Sequence, residues 1–427
     1  MDSTAGWLLA AQLANLAGGL LVGVALSHAL GAGGQGLVQV TVLVPQALAL
    51  AGAIGGSATL TYFRSQGRSR PAVLGWLYVL AAAVAVLAWA LIAGVPGLFA
   101  AARAAGMAPG VLQAGALAAG AQTLANGVSA VAIAEQRASA VMVVTTVPRL
   151  IVMLGLATGW LVHQLTPAQV VPLYWLAAGL SALAGLVVLG PPRAPAWNPD
   201  LWRAAAGYGL RGHWGNVAQL LNYRVGLWLL GLTGATARAG WYWLALTLSE
   251  LLWYVPQAAA GAWLPRVGQG RVGSRDTVAL ARTLGWLSMA LALTGGALAW
   301  GLLPVIWGRG FRPALGPLWE LLPGTALFAW AKILASDLAG RNRPEWGTAA
   351  SLTGAASLVL TGWMGLAACG IGGLAAAQSF SYAVTTAVLA VGFRRVHPDV
   401  TWLDMMRFSP REWLRFVGRW PTGGTLP

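Results

Sequence analysis

Arg224 and Glu250 are the residues of this chain best placed to do chemistry. They lie in the stretch from Leu220 to Gln257, LLNYRVGLWLLGLTGATARAGWYWLALTLSELLWYVPQ, which reads as two apolar helices joined by a small glycine turn. Counted from Thr236, they stand about 12 and 14 residues from the turn, and at about 1.5 Å of rise per residue they reach similar depths. A charge at that depth in a bilayer costs at least about 3 kcal/mol, so it faces a protein interior or a water-filled pathway. Two readings follow: a structural ion pair between adjacent helices, or part of the path of a transported molecule.

Other charges fall within apolar runs. Arg149 is expected near mid-membrane, while Arg211 and Lys332 lie closer to span ends, where they either snorkel to the surface or guard the mouth of a pathway. Asp337 is expected to pair with Arg341 four residues on. Four cations, Arg149, Arg211, Arg224 and Lys332, against Glu250 leave an interior that is net basic. Such an interior suits an anion, because guanidinium forks bind phosphate oxygens bidentately. No metal-ligand spacing links His28, His163, His213 and His397, no carboxylate pair is placed for hydrolysis, and no cofactor is implied. The segment GAGGQG, residues 31 to 36, fits a dinucleotide pattern that would need a preceding strand, and here it joins two apolar runs.

The elements that carry these residues are membrane helices. Of 427 residues, 58% are hydrophobic and 9% charged, against about 25% charged in soluble proteins. Twelve runs are long enough to cross, near 5–30, 36–62, 72–95, 110–134, 139–162, 168–190, 207–233, 240–263, 280–305, 314–336, 347–368 and 370–393. The shortest connections, 31–35 and 369–371, are glycine-rich and open to a second reading as kinks within one helix. The first run has no basic residue before it and reads as an uncleaved helix. Cys369 is the single cysteine, so it forms no disulfide within the chain, and it reads as a packing residue. Pro45, Pro148, Pro256, Pro304 and Pro323 mark places where spans kink or bend.

Assigning loops alternately puts 18 of the 26 basic residues on one side, among them Arg64, Arg68, Arg70, Arg137, Arg341 and Arg343. Four, Arg103, Arg238, Arg309 and Arg312, fall on the other. The positive-inside rule makes the first side cytoplasmic, so both termini are expected inside. The net charge of +15 thus follows topology and not nucleic acid. The proline-rich segment PPRAPAWNPDLWR, residues 191 to 203, divides the chain. The expected domains are a six-helix bundle over 1–190, a cytoplasmic linker over 191–206, a second six-helix bundle over 207–395 and a tail over 396–427. In that tail Trp413, Phe416, Val417 and Trp420 form a stripe opposite Arg411, Arg415 and Arg419, a basic amphipathic helix suited to the anionic leaflet or to docking a partner enzyme.

Several segments, HALGAGGQG, NYRVGLWLLGLTGATARAGWYWLALTLSELLWYVPQ with LPRV, IWGRGFRPA, LLPG and DLAGRNRP, resemble the polysaccharide biosynthesis membrane proteins. These are the Wzx-type lipid-linked oligosaccharide flippases of the multidrug/oligosaccharidyl-lipid/polysaccharide exporter superfamily. The resemblance runs from about residue 5 to 395. It implies an all-α polytopic fold, two six-helix bundles around a central cavity with alternating access, in the bacterial cytoplasmic (inner) membrane. The implied substrate is an undecaprenyl-diphosphate-linked sugar unit, flipped outward for surface polysaccharide. A polysaccharide polymerase or glycosyltransferases would be protein partners. On this reading Arg149 and Arg224 contact the diphosphate, Arg211 and Lys332 attract it at the mouth, and Glu250 positions Arg224 or takes part in coupling. His28 stands where the family usually has arginine, and Gly226 where an aspartate is common, which puts ion coupling through that acid in question. The alternatives are a lipid II flippase, a cation-coupled multidrug exporter of the same superfamily, and a non-transporting scaffold for glycosyltransferases.

Overall fold

The computed structural model describes residues 3–407 apart from 162–164, 191–195 and 197. The side chains of 3–15, 58, 96, 138, 160, 161, 211 and 212 are outside that description. The described chain is helical throughout, without strands: α1 (Ser3–Gly52), α2 (Gly56–Ser65), α3 (Arg70–Gly94), α4 (Ala100–Ala104), α5 (Pro109–Ala134), α6 (Ala138–Leu161), α7 (Pro167–Leu189), α8 (Pro199–Leu232), α9 (Thr236–Glu250), α10 (Tyr254–Gly268), α11 (Ser274–Ile306), α12 (Leu315–Gly340), α13 (Glu345–Val396) and α14 (Trp402–Met406). Among the described residues, eight helical stretches are long and apolar enough to cross a membrane. The tail helix expected beyond residue 408 lies outside the described residues.

Two of the long helices are each two crossings. α1 turns at Gly31 (φ 63°, ψ −174°), and the Gln35 side-chain amide donates to the Gly23 carbonyl at 3.4 Å. On a straight helix residues 12 apart stand about 18 Å apart, so the chain reverses there. α13 turns at Gly370 (φ 62°), and the backbones of Gly365 and Gly373 pack directly against each other. The glycine-rich connections are thus hairpins, which only a residue free of a β-carbon makes cheaply at positive φ.

Two expected spans are broken instead of continuous. The second stops at Gly52 and resumes at Gly56, with Ile54 and Gly55 left-handed (φ 44° and 68°). His213 on α8 bridges the gap: its Nδ1 accepts the Gly55 N–H at 3.1 Å, and its Nε2–H donates to the Ala51 carbonyl at 2.7 Å. The eighth span stops at Glu250, passes through a 3-10 turn at Leu251–Trp253 and resumes as α10. Pro256 has no N–H to give the carbonyl four residues back, which places the break there. With the eighth span and α8 added to the ten crossings of those eight stretches, the crossing segments among the described residues number the expected twelve. α8 starts at Pro199, inside the stretch expected to be linker. Asn198 caps it through the Leu201 N–H at 2.9 Å, followed by proline and Asp200 in the first turn, each a helix-start signal.

By internal contacts the chain forms two compact units. The first comprises the described parts of Met1–Val217, Leu227–Gly240 and Ile306–Gly310; the second, those of Ala218–Gly226, Trp241–Val305 and Phe311–Pro427. In the first, Leu60, Leu74, Leu77, Val128 and Val131 form a core. Glu135, 7% exposed, closes its arginine-rich end by accepting from Arg64 Nε at 2.7 Å and Arg70 Nε at 2.8 Å. Burial pushes the Glu135 carboxyl up, but the hydrogen bonds from Arg70 and Arg64 outweigh this and hold it below its ordinary 4.5. In the second unit, Trp253, Leu284, Phe328, Tyr382 and Phe393 belong to the core. There Asp337, fully buried, accepts from Arg341 Nε at 2.8 Å, as its spacing implied, and from the Thr277 hydroxyl at 2.6 Å. His397 Nε2 meets the same carboxylate at 3.2 Å.

The two halves share local signatures. α2 and α10 each end in Gln-Gly-Arg with the glycine at positive φ (Gly67 79°, Gly270 68°). Each closes with the six-residue bond of a Schellman cap, Arg68 N–H to Phe63 carbonyl and Arg271 N–H to Arg266 carbonyl. α5 and α12 end the same way with a non-glycine residue left-handed, Gln136 (57°) and Asn342 (60°), and matching 2.8 Å bonds from Arg137 to Ala132 and from Arg343 to Leu338.

Candidate functional site

The second unit gathers three of the five sequence-predicted site residues. Arg224, on α8, donates from Nη1 to Glu250 Oε1 at 2.9 Å and from Nη2 to Oε2 at 3.2 Å, a two-pronged pair whose side chains are 31% and 19% exposed. Glu250 is the last residue of α9, directly before the break that Pro256 imposes, where the negative end of a helix dipole would not by itself favour a carboxylate. The arginine offsets that penalty.

α8 is held in place beneath this pair by Asn222, which is buried. Its side-chain amide donates to Thr385 Oγ1 at 3.0 Å, its Oδ1 accepts from the Ser381 hydroxyl at 2.6 Å, and its carbonyl accepts from Gln378 Nε2 at 2.7 Å. The close approach of Asn222 and Thr385 needs a glycine at 354, where a β-carbon would overlap both side chains. In a membrane such packing and interhelical hydrogen bonds replace the hydrophobic drive of a soluble core. Gly226, four residues on from Asn222, has the Tyr242 hydroxyl where a β-carbon would stand. The space an aspartate would need there is filled by that tyrosine.

Lys332, on α12, is half-buried. Its Nζ donates to Gln257 Oε1 at 2.7 Å and lies 4.7 Å from the Trp253 ring centre. Tyr223, Phe328 and Tyr382 complete an aromatic cluster around Trp253 at ring separations of 5.0, 5.2 and 5.4 Å. The Trp253 indole N–H is committed to the Thr325 carbonyl at 3.2 Å, and the Tyr223 hydroxyl accepts from Gln219 at 2.9 Å. Sequence reasoning passed over these rings, although Tyr223 and Trp253 flank Arg224 and Glu250 in the opening stretch.

Arg149 belongs to the first unit. It is half-buried on α6; its stem crosses Gly18, its Nη1 donates to the Thr145 carbonyl, and Tyr174 lies close by. The Arg211 side chain lies outside the described residues. His28, also in the first unit, donates from Nε2 to the Ile306 carbonyl at 2.8 Å. Among the described residues no group of three or more His, Cys, Asp or Glu could hold a metal ion.

No family model matches the chain, and no curated protein matches it. Solved structures do match. A structure described as the lipid II flippase MurJ in an inward closed conformation superposes with a TM-score of 0.76 at 10% identity, covering 98% of this chain and 93% of that one. An inward-facing multidrug resistance MATE family transporter of the MOP superfamily gives 0.67 at 14% identity, over 90% and 94%. The MATE multidrug transporter DinF-BH in complex with R6G gives 0.67 at 15%, over 96% and 98%. The chain therefore has the fold of these multi-pass membrane proteins.

Proposed function

We propose that this chain is a flippase, not an enzyme, and that it moves an undecaprenyl-diphosphate-linked oligosaccharide across the bacterial cytoplasmic membrane by alternating access. The observation that carries the reading is the arrangement in the second unit. Arg224 is held bidentately by Glu250 while Lys332 leaves a positive surplus, which suits a phosphate-bearing headgroup. In this reading Arg149 and Arg224 contact the diphosphate, and Lys332 attracts it at the cytoplasmic mouth. Arg211 adds charge where the lipid enters, and Glu250 positions Arg224 or takes part in coupling. Both termini face the cytoplasm, residues 191–206 are a cytoplasmic linker, and a polymerase or glycosyltransferases consume or supply the sugar unit.

A second reading, a lipid II flippase, is favoured by the TM-score of 0.76 to a protein of that description over 98% of the chain. Transport of organic cations, as the multidrug transporters' descriptions suggest, fits a net basic site less well.

The test is reconstitution in liposomes with fluorescent undecaprenyl-diphosphate sugars, one bearing an oligosaccharide and one the peptidoglycan precursor, with and without an ion gradient. Transfer between leaflets that falls at least tenfold in Arg149→Ala/Arg224→Ala supports the reading. Full transfer by that double variant would remove the residue assignment. Export of organic cations without lipid transfer would remove the flippase reading itself.

A further inference from the structure

Lys332 occupies an aromatic enclosure. Its Nζ lies 4.7 Å from the ring centre of Trp253, 5.3 Å from that of Phe328 and 5.9 Å from that of Tyr223. Cations are attracted to ring faces at separations up to about 6 Å, and enclosures of several rings are a means by which proteins hold ammonium and quaternary ammonium groups. The rings are fixed against one another: Trp253 and Phe328 are buried, and their indole and phenyl centres are 5.2 Å apart. Gln257, exposed at the rim, accepts a hydrogen bond from Nζ at 2.7 Å. What is unusual is the source of the cation, which the chain itself supplies on a flexible four-carbon stem.

The charges nearby give this a consequence. Glu250 is occupied by Arg224 on both oxygens, so that pair is close to neutral and Lys332 provides the net charge of the site. An enclosure that would hold a free ammonium is filled, and the filling repels a second cation.

We propose that Lys332 is a tethered competitor that excludes organic cations from the enclosure of Trp253, Phe328 and Tyr223, and so sets the site's preference for anionic headgroups. The preference for anions rests on the function proposed above, whereas the exclusion of cations stands independently. Removing the lysine head would convert the enclosure into a site for a small quaternary ammonium ion.

Equilibrium dialysis of radiolabelled tetramethylammonium against the purified full-length chain in detergent tests this. Lys332→Ala should bind about one ion per chain, at least tenfold more tightly than the unaltered protein, and adding Trp253→Leu should abolish the gain. Lys332→Arg should exclude the ion as the native residue does. Because truncation could disturb folding, Lys332→Gln provides the second variant, one bond shorter in reach but retaining most of the side chain's bulk and an amide donor for Gln257 without the charge; it should shift binding in the same direction. If neither neutral variant, shown folded by its thermal midpoint, binds more tightly than the native chain, the inference is overturned. Saturable binding by the native chain at equal strength overturns it as well. Cation binding gained in the variants while the native chain moves no lipid diphosphate would leave the enclosure standing and sink the proposed function; lipid transfer with no such gain would do the reverse.

Discussion

Both oxygens of Glu250 are taken by the guanidinium of Arg224, at 2.9 and 3.2 Å, across the helical hairpin that Thr236 begins to close. The sequence placed the two at matching depth from their distances to the turn, and the fold converts that into a fork geometry a lysine could not make. Removing one partner of a buried pair costs about 3–5 kcal/mol because the other charge is stranded. Here the side chains are 31% and 19% exposed, so about 1–3 kcal/mol is expected from Glu250→Ala or Arg224→Ala. Glu250→Ala/Arg224→Ala should lose less than the sum of the singles. Thermal midpoints in detergent complete the cycle, and strict additivity would mean that the pair contributes no mutual stabilisation.

Acid should loosen the first unit at Glu135. The hydrogen bonds from Arg70 and Arg64 prevail over burial and hold this carboxyl below its ordinary 4.5, so the unfolded chain binds the proton more readily than the folded one. The stabilisation is therefore fully present above about pH 4.5 and is lost as pH falls through the lower, folded-state value. Glu135→Gln should cost about 2 kcal/mol at neutral pH by leaving Arg64 and Arg70 facing each other. It should also flatten the acid limb of a midpoint-against-pH curve, and an unchanged acid limb in that variant would show that another group sets it.

Much of the architecture was legible because membrane helices advertise themselves by length and apolarity, and reversals such as Gly31 and Gly370 need residues that tolerate positive φ. The start of α8 was misplaced because Pro199 to Ala206 precede the apolar run, although Asn198, Pro199 and Asp200 carried a complete start signal. The histidines were weighed as metal ligands, where spacing along the chain is informative, and His28 also as a replacement for an arginine. His28, His213 and His397 instead bond Ile306, Ala51 with Gly55, and Asp337, partners 278, 162 with 158, and 60 residues away. His163 lies outside the described residues. Lys332 was legible as a cation near a span end, yet its partner Gln257 is 75 residues distant, and no local pattern announces an aromatic enclosure assembled from three helical segments.

The joint in the second span depends on one imidazole. His213 satisfies the Ala51 carbonyl and the Gly55 N–H at once, two of the backbone groups that a helix break leaves without intrahelical partners. With its Nε2 donating and its Nδ1 accepting, the ring serves both only while neutral. His213→Ala should cost about 1–3 kcal/mol for the stranded groups and raise amide exchange over residues 51–59 before the flanking helices respond. Hydrogen exchange with mass detection reads this directly; protection unchanged across that segment would show that the break holds itself.

The last prediction concerns Gly226, one of the two positions, with His28, at which the sequence reading expects a different residue. At Gly226 the Tyr242 hydroxyl fills the place of a side chain, and Tyr242 is itself fully buried with its hydroxyl 3.4 Å from Gln378 Oε1. Gly226→Ala would overpack this contact at about 1–3 kcal/mol. Gly226→Asp adds a carboxylate with no partner provided, at several kcal/mol more, so its yield of monodisperse protein on size exclusion should collapse. If the obstacle is the tyrosine, Gly226→Asp/Tyr242→Ala should recover part of that yield, because the truncation opens the space the aspartate needs. Normal yield from Gly226→Asp alone would mean that Tyr242 moves aside readily. The absence of the acid would then owe nothing to packing, leaving the site's charge balance as the property that glycine preserves.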